Sequence, residues 1–276
     1  MTALPNPLDF SGKSVLVTGG GAGIGRACAE AFAAHGAQVF IAEIDPERCA
    51  GFTAGTAIQC DVTRRDEVAR LAAELGAQTG GRLDVLVNNV GHYVHAKPFA
   101  DLTLDEVDEI VHVNLTSLLG VTHAMLPLLK AAASGSSIVN VTSIEAYRGI
   151  PTCSVYAAGK WGVTGFTKSL ALELAPLGIR VNDIAPETTD TPQTPIDYMV
   201  PPENRHHVER WIPLGRFGRP DDCAQAALYL ASPMASWVTG TAINIDGGSL
   251  AAAGWVRDVN GVWTNMPIVT GNGMNL

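Results

Sequence analysis

Residues 14–32 read SVLVTGGGAGIGRACAEAF, and this stretch decides the fold. Ser14–Thr18 is a short β-rich run, apolar at successive positions, as a strand buried on both faces must be. Gly19, Gly23 and Gly25 follow at once, and a run with helical spacing then begins. Strand, glycine turn and helix in that order form the opening unit of a parallel α/β sheet. Glycines let the backbone turn tightly and approach a pyrophosphate, which then rests on the positive N-terminus of the helix. The spacing is G-x-x-x-G-x-G rather than G-x-G-x-x-G, and a plain tight turn would explain the glycines taken alone.

Outward from this unit the alternation continues. Further β-rich runs stand at 37–42, 56–62, 83–89, 136–142, 179–184 and 241–246, with helically spaced segments between them. Strands that are apolar throughout predict a parallel sheet covered on both faces. No composition shift or Ser/Pro linker interrupts residues 1–276, which therefore read as a single domain; the motifs below make it the NAD-binding catalytic domain. Two long helices are expected, from about 104 to 129 and from about 155 to 175. The second is rich in small residues and apolar on more than one face, which suits either a deep core or a subunit contact.

Composition narrows the partners. Among 276 residues, 47% are apolar, only 16% are charged, and the net charge is −9. This balance excludes nucleic acid and an anionic membrane surface as partners. No run is read as apolar and uninterrupted enough to span a bilayer, and MTALPNPLDFSGK lacks the pattern of a secretory signal. Cys28, Cys49, Cys60, Cys153 and Cys223 are scattered without C-x-x-C spacing, so reduced thiols and a cytoplasmic location are expected. His92, His95, His206 and His207 have no carboxylate or cysteine at ligand spacing, so no metal is expected.

The chemistry-bearing residues emerge in order. Glu43 ends the second strand, where a carboxylate can accept hydrogen bonds from the adenosine ribose hydroxyls and repels a 2′-phosphate. That predicts NAD rather than NADP. Tyr156 and Lys160 stand at i and i+4 and share one helix face. The ammonium, like an oxidised nicotinamide, favours the phenolate, and a fall of roughly 2–3 pH units from about 10 brings the tyrosine into a useful range. Tyr-x-x-x-Lys alone is common on protein surfaces. Here Ser143 closes a strand thirteen residues earlier, Asn114 sits within a long helix that an amide disfavours, and Asn88-Asn89 ends another strand.

With these residues in view, the chain from about 10 to 250 resembles the short-chain dehydrogenase/reductase family. The matching motifs are Thr18-Gly19-x-x-x-Gly23-x-Gly25, Asp61, Asn88-Asn89-Val90-Gly91, Asn114, Ser143, Tyr156-x-x-x-Lys160, the Pro186 loop and the DGG at 246–248. The resemblance implies a Rossmann-type doubly wound parallel sheet of about seven strands with helices on both faces. It implies hydride transfer between NAD(H) and a secondary alcohol or ketone. Tyr156 would exchange the proton at the substrate oxygen, Ser143 would hydrogen-bond that oxygen, and Lys160 would bind the nicotinamide ribose. Asn114 would hold a water linking Lys160 to solvent. Gly19, Gly23, Ile24 and Gly25 would carry the pyrophosphate, Asp61 and Val62 would flank the adenine, and Asn89 and Gly91 would lie near the ribose. Pro186 fixes a turn beside the nicotinamide, with Thr189 and Thr191 bonding carboxamide and phosphates. The family also implies a homo-oligomer, a tetramer. Two positions depart from its pattern: Val90 replaces the usual alanine, and Glu187 replaces the glycine after Pro186.

The substrate side rests on the segment at about 188–212, with Ile196, Tyr198, Met199, Val200 and Trp211 expected over the pocket. Tyr93, Val94, Tyr147 and the histidines at 92 and 95 are further pocket candidates. Substrate-binding residues are expected to be Ser143, Glu145, Cys153, Tyr156 and Glu187. Two acids there favour an uncharged alcohol, diol or cyclic ketone over an anionic thioester. An NADP-dependent 3-oxoacyl thioester reductase is the alternative, and a non-catalytic nucleotide sensor a more distant one. Glu187 has three open roles: stabilising a cationic nicotinamide, reaching a substrate hydroxyl, or pointing to solvent. In the C-terminal extension, about 250–276, Asn260-Gly261 signals a two-residue hairpin. Trp255 and Trp263 suggest that it packs on a neighbouring subunit or over the active-site mouth, a loose tail being the alternative.

Overall fold

The computed structural model describes residues 6–132, 135–254, 256–257, 260–261 and 263–264. In β1 (Ser14–Thr18), Val15 and Val17 pack into one hydrophobic layer and Leu16 into the other. The same division recurs in β2 (Gln38–Glu43), where Val39 and Ile41 face one layer and Phe40 and Ala42 the other. Strand side chains alternate sides, so an unbroken apolar run has to be covered twice.

The remaining strands are β3 (Thr56–Gln59), β4 (Val85–Asn88), β5 (Ser137–Val141), β6 (Arg180–Pro186) and β7 (Ala242–Ile245). All seven form one parallel sheet in the order β3-β2-β1-β4-β5-β6-β7, a Rossmann-type doubly wound arrangement. Strand order reverses between β1 and β4, and the crevice beyond their carboxyl ends is where such sheets bind ligands. One face is covered by α1 (Gly23–Ala34), whose Cys28 and Phe32 join Cys223 and Ala227 of α9 (Pro220–Ala231) in one core. Short α2 (Pro46–Ala50) follows β2, its first N–H groups capped by the Asp45 side chain. The other face is covered by α3 (Arg65–Thr79), α5 (Ser117–Ala131) and α6 (Ser154–Leu174), through Leu71, Met125, Leu129 and Leu170.

The first long helix is divided. The α4 segment (Leu104–Val111) leads through a π-helical turn, His112–Thr116, into α5. By length and composition alone Leu104–Ala131 could cross a membrane, contrary to the sequence reading. In the fold, Val121, Met125 and Leu129 of this run are buried against the sheet.

Two expectations change in the chain's last third. After β6 come α7 (Ile196–Met199) and α8 (Val208–Trp211), which with Phe217 build a small core of their own from Met199, Val200, Val208 and Ile212. Their apolar side chains hold the segment together rather than line the cleft, and Tyr198 is exposed. Beyond α10 (Ser249–Ala252), strands β8 (Val256–Arg257) and β9 (Trp263–Thr264) form the expected antiparallel hairpin. Arg257 pairs with Trp263, so the turn is centred on Asn260 and not between Asn260 and Gly261. Gly261 at φ +79° suits the left-handed glycine of an odd-length hairpin loop. The hairpin is tied to the chain just after α8, Arg257 donating to the Pro213 carbonyl at 3.3 Å. Trp255, the Trp263 side chain and 265–276 lie outside the described residues.

Candidate active site

A cleft of about 440 Å³ runs along the carboxyl ends of the central strands, from Glu43 at one end to Tyr156 and Glu187 at the other. Gly19, Gly23, Ile24, Asn89, Gly91, Pro186, Thr189 and Thr191 line it between these limits, as do Ser143, Glu145 and Lys160. Gly25, Asp61, Val62, Asn114 and Cys153 are not in its lining.

The glycine turn is a close-packed device. Gly19 and Gly23 take φ of +62° and +54°, which side-chain-bearing residues rarely adopt. A Cβ on Gly25 would stand 2.2 Å from the Gly19 carbonyl oxygen. Asn89 clamps the turn, its Nδ2 donating to the Thr18 and Gly19 carbonyls at 3.0 and 3.3 Å. Thr191 reaches over Gly23, so the Pro186 loop and the glycine turn face each other across the crevice. At the far end, Glu43 Oε2 accepts from the Gly21 N–H at 2.9 Å and Oε1 from Asp45 N–H at 3.1 Å. Arg48, which the sequence reading left aside, lines the same end and pairs with Asp45 at 3.3 Å. Asp61 turns inward on its own loop, Oδ1 accepting from the Thr63 N–H and hydroxyl.

Asn114 owes its position to the π-helical turn. The wide turn lets its Nδ2 reach the Ile110 carbonyl at 2.9 Å while also donating to the His92 carbonyl at 2.8 Å. Its Oδ1 accepts from His92 N–H at 2.9 Å. A fully buried amide thus fastens the loop after β4 to the helix. Gly91 in that loop leaves room for Lys160, since a Cβ there would lie 2.4 Å from Nζ.

Lys160 is almost entirely buried, donates from Nζ to the Val141 carbonyl at 3.0 Å, and lies 5.6 Å from the centre of the Tyr156 ring. Burial lowers its pKa to about 8, against the attraction of Asp183. The expected fall in the Tyr156 pKa is not what the chain alone produces. Burial, and then Tyr93, whose ring centre is 4.5 Å away, hold the Tyr156 hydroxyl well above its ordinary value. The hydrogen bond with Ser143 opposes them. The reason is that the ammonium bonds a carbonyl, not the phenol, and desolvation outweighs an attraction at that range.

Ser143 follows β5 and begins the turn Ile144–Ala146, its Oγ accepting from Glu145 N–H at 3.1 Å. Cys153, buried beneath Tyr156 with Ile110 and Val155, is core. Glu187 is not turned to solvent: it is buried and bound to Arg148, as is Glu145. The threonines beside it are committed within the loop, Thr189 Oγ1 donating to the Glu187 carbonyl and Thr194 Oγ1 to that of Thr189. Among the described residues no group of three or more histidines, cysteines or acids is placed to hold a metal ion. His95, which has no ligand-spaced acid in sequence, meets Glu109 at 2.8 Å through the fold.

Residues 19–249 match a family model described as Enoyl-(Acyl carrier protein) reductase. Over 249 residues the chain is 39% identical to the 3-oxoacyl-(acyl-carrier-protein) reductase FabG of Thermotoga maritima, covering 87% of this chain and 99% of that one. The chain belongs to the short-chain dehydrogenase/reductase family. Another relative in the family is the 2,5-dichloro-2,5-cyclohexadiene-1,4-diol dehydrogenase of Sphingobium indicum, 35% identical over 88% of this chain and 99% of that one. Two solved structures of short-chain dehydrogenase/reductases superpose closely. The 3-ketoacyl-(acyl-carrier-protein) reductase of Brucella melitensis, complexed with NADH, matches with a TM-score of 0.78 and 34% identity over 87% of this chain and 99% of that one. A short chain dehydrogenase of Burkholderia cenocepacia, in complex with NADP, gives 0.79 and 34% over 88% and 99%. This protein is therefore an oxidoreductase of the short-chain dehydrogenase/reductase family that uses a nicotinamide cofactor.

Proposed function

We propose that this short-chain dehydrogenase/reductase is NAD-dependent and interconverts a neutral secondary alcohol and its ketone. The observation that carries the reading is one cleft with Ser143, Tyr156 and Lys160 converging at one end and Glu43 at the other. The cradle fits a dinucleotide: the glycine turn has no space for side chains, and Gly91 leaves the lysine amine at the cleft wall. When bound, the nicotinamide supplies or accepts the hydride.

The chain's own residues do the rest. Glu43 retains acceptor capacity for ribose hydroxyls, each such bond to a charged group being worth about 1.5–3 kcal/mol, and it repels a 2′-phosphate. Gly19, Gly23, Ile24 and Gly25 hold the pyrophosphate on the N-terminus of α1. Asn89, Gly91, Pro186, Thr189 and Thr191 shape the remainder, and the loop of Asp61 and Val62, just outside the lining beyond Glu43, borders the adenine end. Tyr156 holds or takes the proton at the substrate oxygen, and Ser143 hydrogen-bonds that oxygen. The buried Lys160 charge works against the burial that keeps Tyr156 protonated, and its amine takes the nicotinamide ribose. Asn114 keeps Oδ1 capacity for a water on the way to solvent.

An NADP-dependent 3-oxoacyl thioester reductase is the second reading. The Thermotoga maritima relative and Arg48 beside Glu43 favour it. Glu145 and Glu187 in the lining of the substrate end weigh against an anionic thioester. A non-catalytic sensor would have no use for Ser143, Tyr156, Lys160 and Asn114 together. A homo-oligomer, a tetramer by family, suits exposed Trp161 and Leu172, which lie eleven residues apart on one face of α6. The five free cysteines suit a cytoplasmic setting.

The test is a panel of neutral alcohols, diols, ketones and acetoacetyl thioesters, followed at 340 nm with both cofactors. Oxidation of neutral alcohols with NAD is expected, with Tyr156→Phe lowering kcat about 10³-fold while NADH still binds. Glu43→Ala is expected to raise KM for NAD about tenfold or more and to narrow the preference over NADP. Turnover confined to thioesters with NADPH would sink the reading.

A further inference from the structure

The substrate end of the cleft holds a second tyrosine that the proton-transfer chemistry does not use. Tyr93, in the loop after β4, lines the cleft together with Ser143, Glu145 and Tyr156. Its ring lies against that of Tyr156, the ring centres 4.5 Å apart at a tilt of 41°. The loop that presents it is fixed on both sides of the ring. Asn114 binds the N–H and the carbonyl of His92, and His92 Nδ1 accepts from the Val94 N–H at 2.8 Å. Val94 takes φ of +46°, which a β-branched residue rarely adopts and keeps only where its surroundings over-determine it. Tyr93 and Val94 also pack against Ile110, Cys153, Val155 and Tyr156. The ring is therefore a built wall of the site.

The hydroxyl on that ring is unpaired. Tyr93 is half-buried, and its oxygen makes no hydrogen bond among the described residues and is not sealed from solvent. A tyrosine hydroxyl in a partly dry site ordinarily has a partner, and one supplied by a ligand would meet that need. Its position is given by its electrostatic neighbours. Glu145 and Cys153 act on the Tyr93 hydroxyl and on that of Tyr156 alike, so the two hydroxyls share one corner of the cleft. Burial, and then Glu145, Cys153 and Glu187, raise the Tyr93 pKa, with Arg148 opposing, so the group keeps its proton and can donate it. Glu145 and Glu187 both line the cleft here, and their like charge disfavours a carboxylate or phosphate as the acceptor. An uncharged oxygen fits a neutral O–H donor in this corner.

We propose that Tyr93 is a specificity-determining residue whose hydroxyl donates a hydrogen bond to a second, uncharged oxygen of the substrate. The contact between the two rings keeps that oxygen within a carbon or two of the carbinol that Tyr156 serves. The inference rests on the alcohol-oxidising reading above and deepens it.

The experiment compares cyclohexane-1,2-diol, cyclohexane-1,3-diol, cyclohexanol and 2-hydroxycyclohexanecarboxylate as substrates for the intact enzyme with NAD. In the wild-type enzyme, kcat/KM for at least one diol is expected to exceed that for cyclohexanol about fivefold or more. Tyr93→Phe keeps the ring and removes only the unpaired O–H, and the ratio of that diol to cyclohexanol is expected to fall about fivefold. Equal losses on diol and monoalcohol would show that the hydroxyl acts through Tyr156 and not on the substrate, and would overturn the assignment, as would no loss on either. A preference for the carboxylate would overturn the substrate class. Should Tyr93→Phe fail to fold, the wild-type ratio decides alone, and a value near one overturns the proposal. Failure of all four substrates in the wild-type enzyme breaks the alcohol-oxidising reading and this inference with it. Turnover without a diol preference breaks only this inference.

Discussion

Two buried acids flank the same site, and the fold compensates them differently. Glu187, at the end of β6, touches a guanidinium that also holds Glu145. Asp183, four residues earlier and within β6, touches only neutral donors. It aligns with Asn140 and Asn88 in a polar row across three strands, and Thr167 Oγ1 donates to its Oδ1. Asn140 Nδ2 in turn donates to Thr167 at 2.8 Å, and Asn88 Nδ2 donates to Asn140 at 2.9 Å. Its other oxygen has no partner, and its counter-charge, Lys160, acts at a distance. Burial pushes Asp183 up to about 7, against Thr167 and Lys160. Glu187 is also pushed up by burial, with Arg148 opposing most strongly. A counter-ion in contact fixes an acid in place, whereas one further off leaves its charge open to titration near neutrality.

The largest expected effect comes from removing the contact. Arg148→Met leaves two buried carboxylates without their cation and is expected to cost about 3 kcal/mol at neutral pH. The loss should shrink toward acid, because a protonated carboxyl needs no counter-ion, and urea unfolding at two pH values reads it. A variant equally destabilised at every pH would show that Arg148 matters for packing rather than charge.

Asp183→Asn tests the other acid. Its folded pKa lies above the unfolded value, so the stability it provides is fully present below about 4 and is lost as pH rises toward 7. For the wild type this loss is expected to be about 2–4 kcal/mol across that window, and the variant should not show it. Removing the charge also takes away the attraction that raises the Lys160 pKa. The alkaline limb of kcat/KM is then expected to move to lower pH by about one unit, and an unmoved limb would mean the two charges do not communicate.

The smallest effect belongs to Thr188→Val. It removes one donor from Glu187 Oε1 while Arg148 remains, and about 0.5–1 kcal/mol of stability is expected to be lost. A loss as large as that of Arg148→Met would erase the distinction between the two acids.

The comparison also shows what a sequence can display. Strand, glycine turn and helix announce themselves locally, so the sheet, the cleft, Glu43 and the Ser143-Tyr156-Lys160 grouping were legible. The pairing of Glu187 was not, because Arg148 lies 39 residues away and meets it only when β5 and β6 lie side by side. The burial of Asp183 was hidden in the same way, although alternation along IRVNDI places its side chain on one face of a strand. Aromatic and aliphatic residues at 196–211 looked like pocket walls, but a segment that leaves the sheet must first bury its own apolar surface. The direction of the Tyr156 shift depended on the depth of burial, a property that spacing does not carry.

The π-helical turn at His112–Thr116 has one more consequence. An α-helix advances its faces by about 100° per residue, and a turn with one extra residue changes that phase once and permanently. It therefore acts as a mechanical indexer between α4 and α5. Removing any one residue between 112 and 116 would swing Val121, Met125 and Leu129 off the sheet or turn Asn114 away from the Gly91 loop, because a single rotation cannot satisfy both.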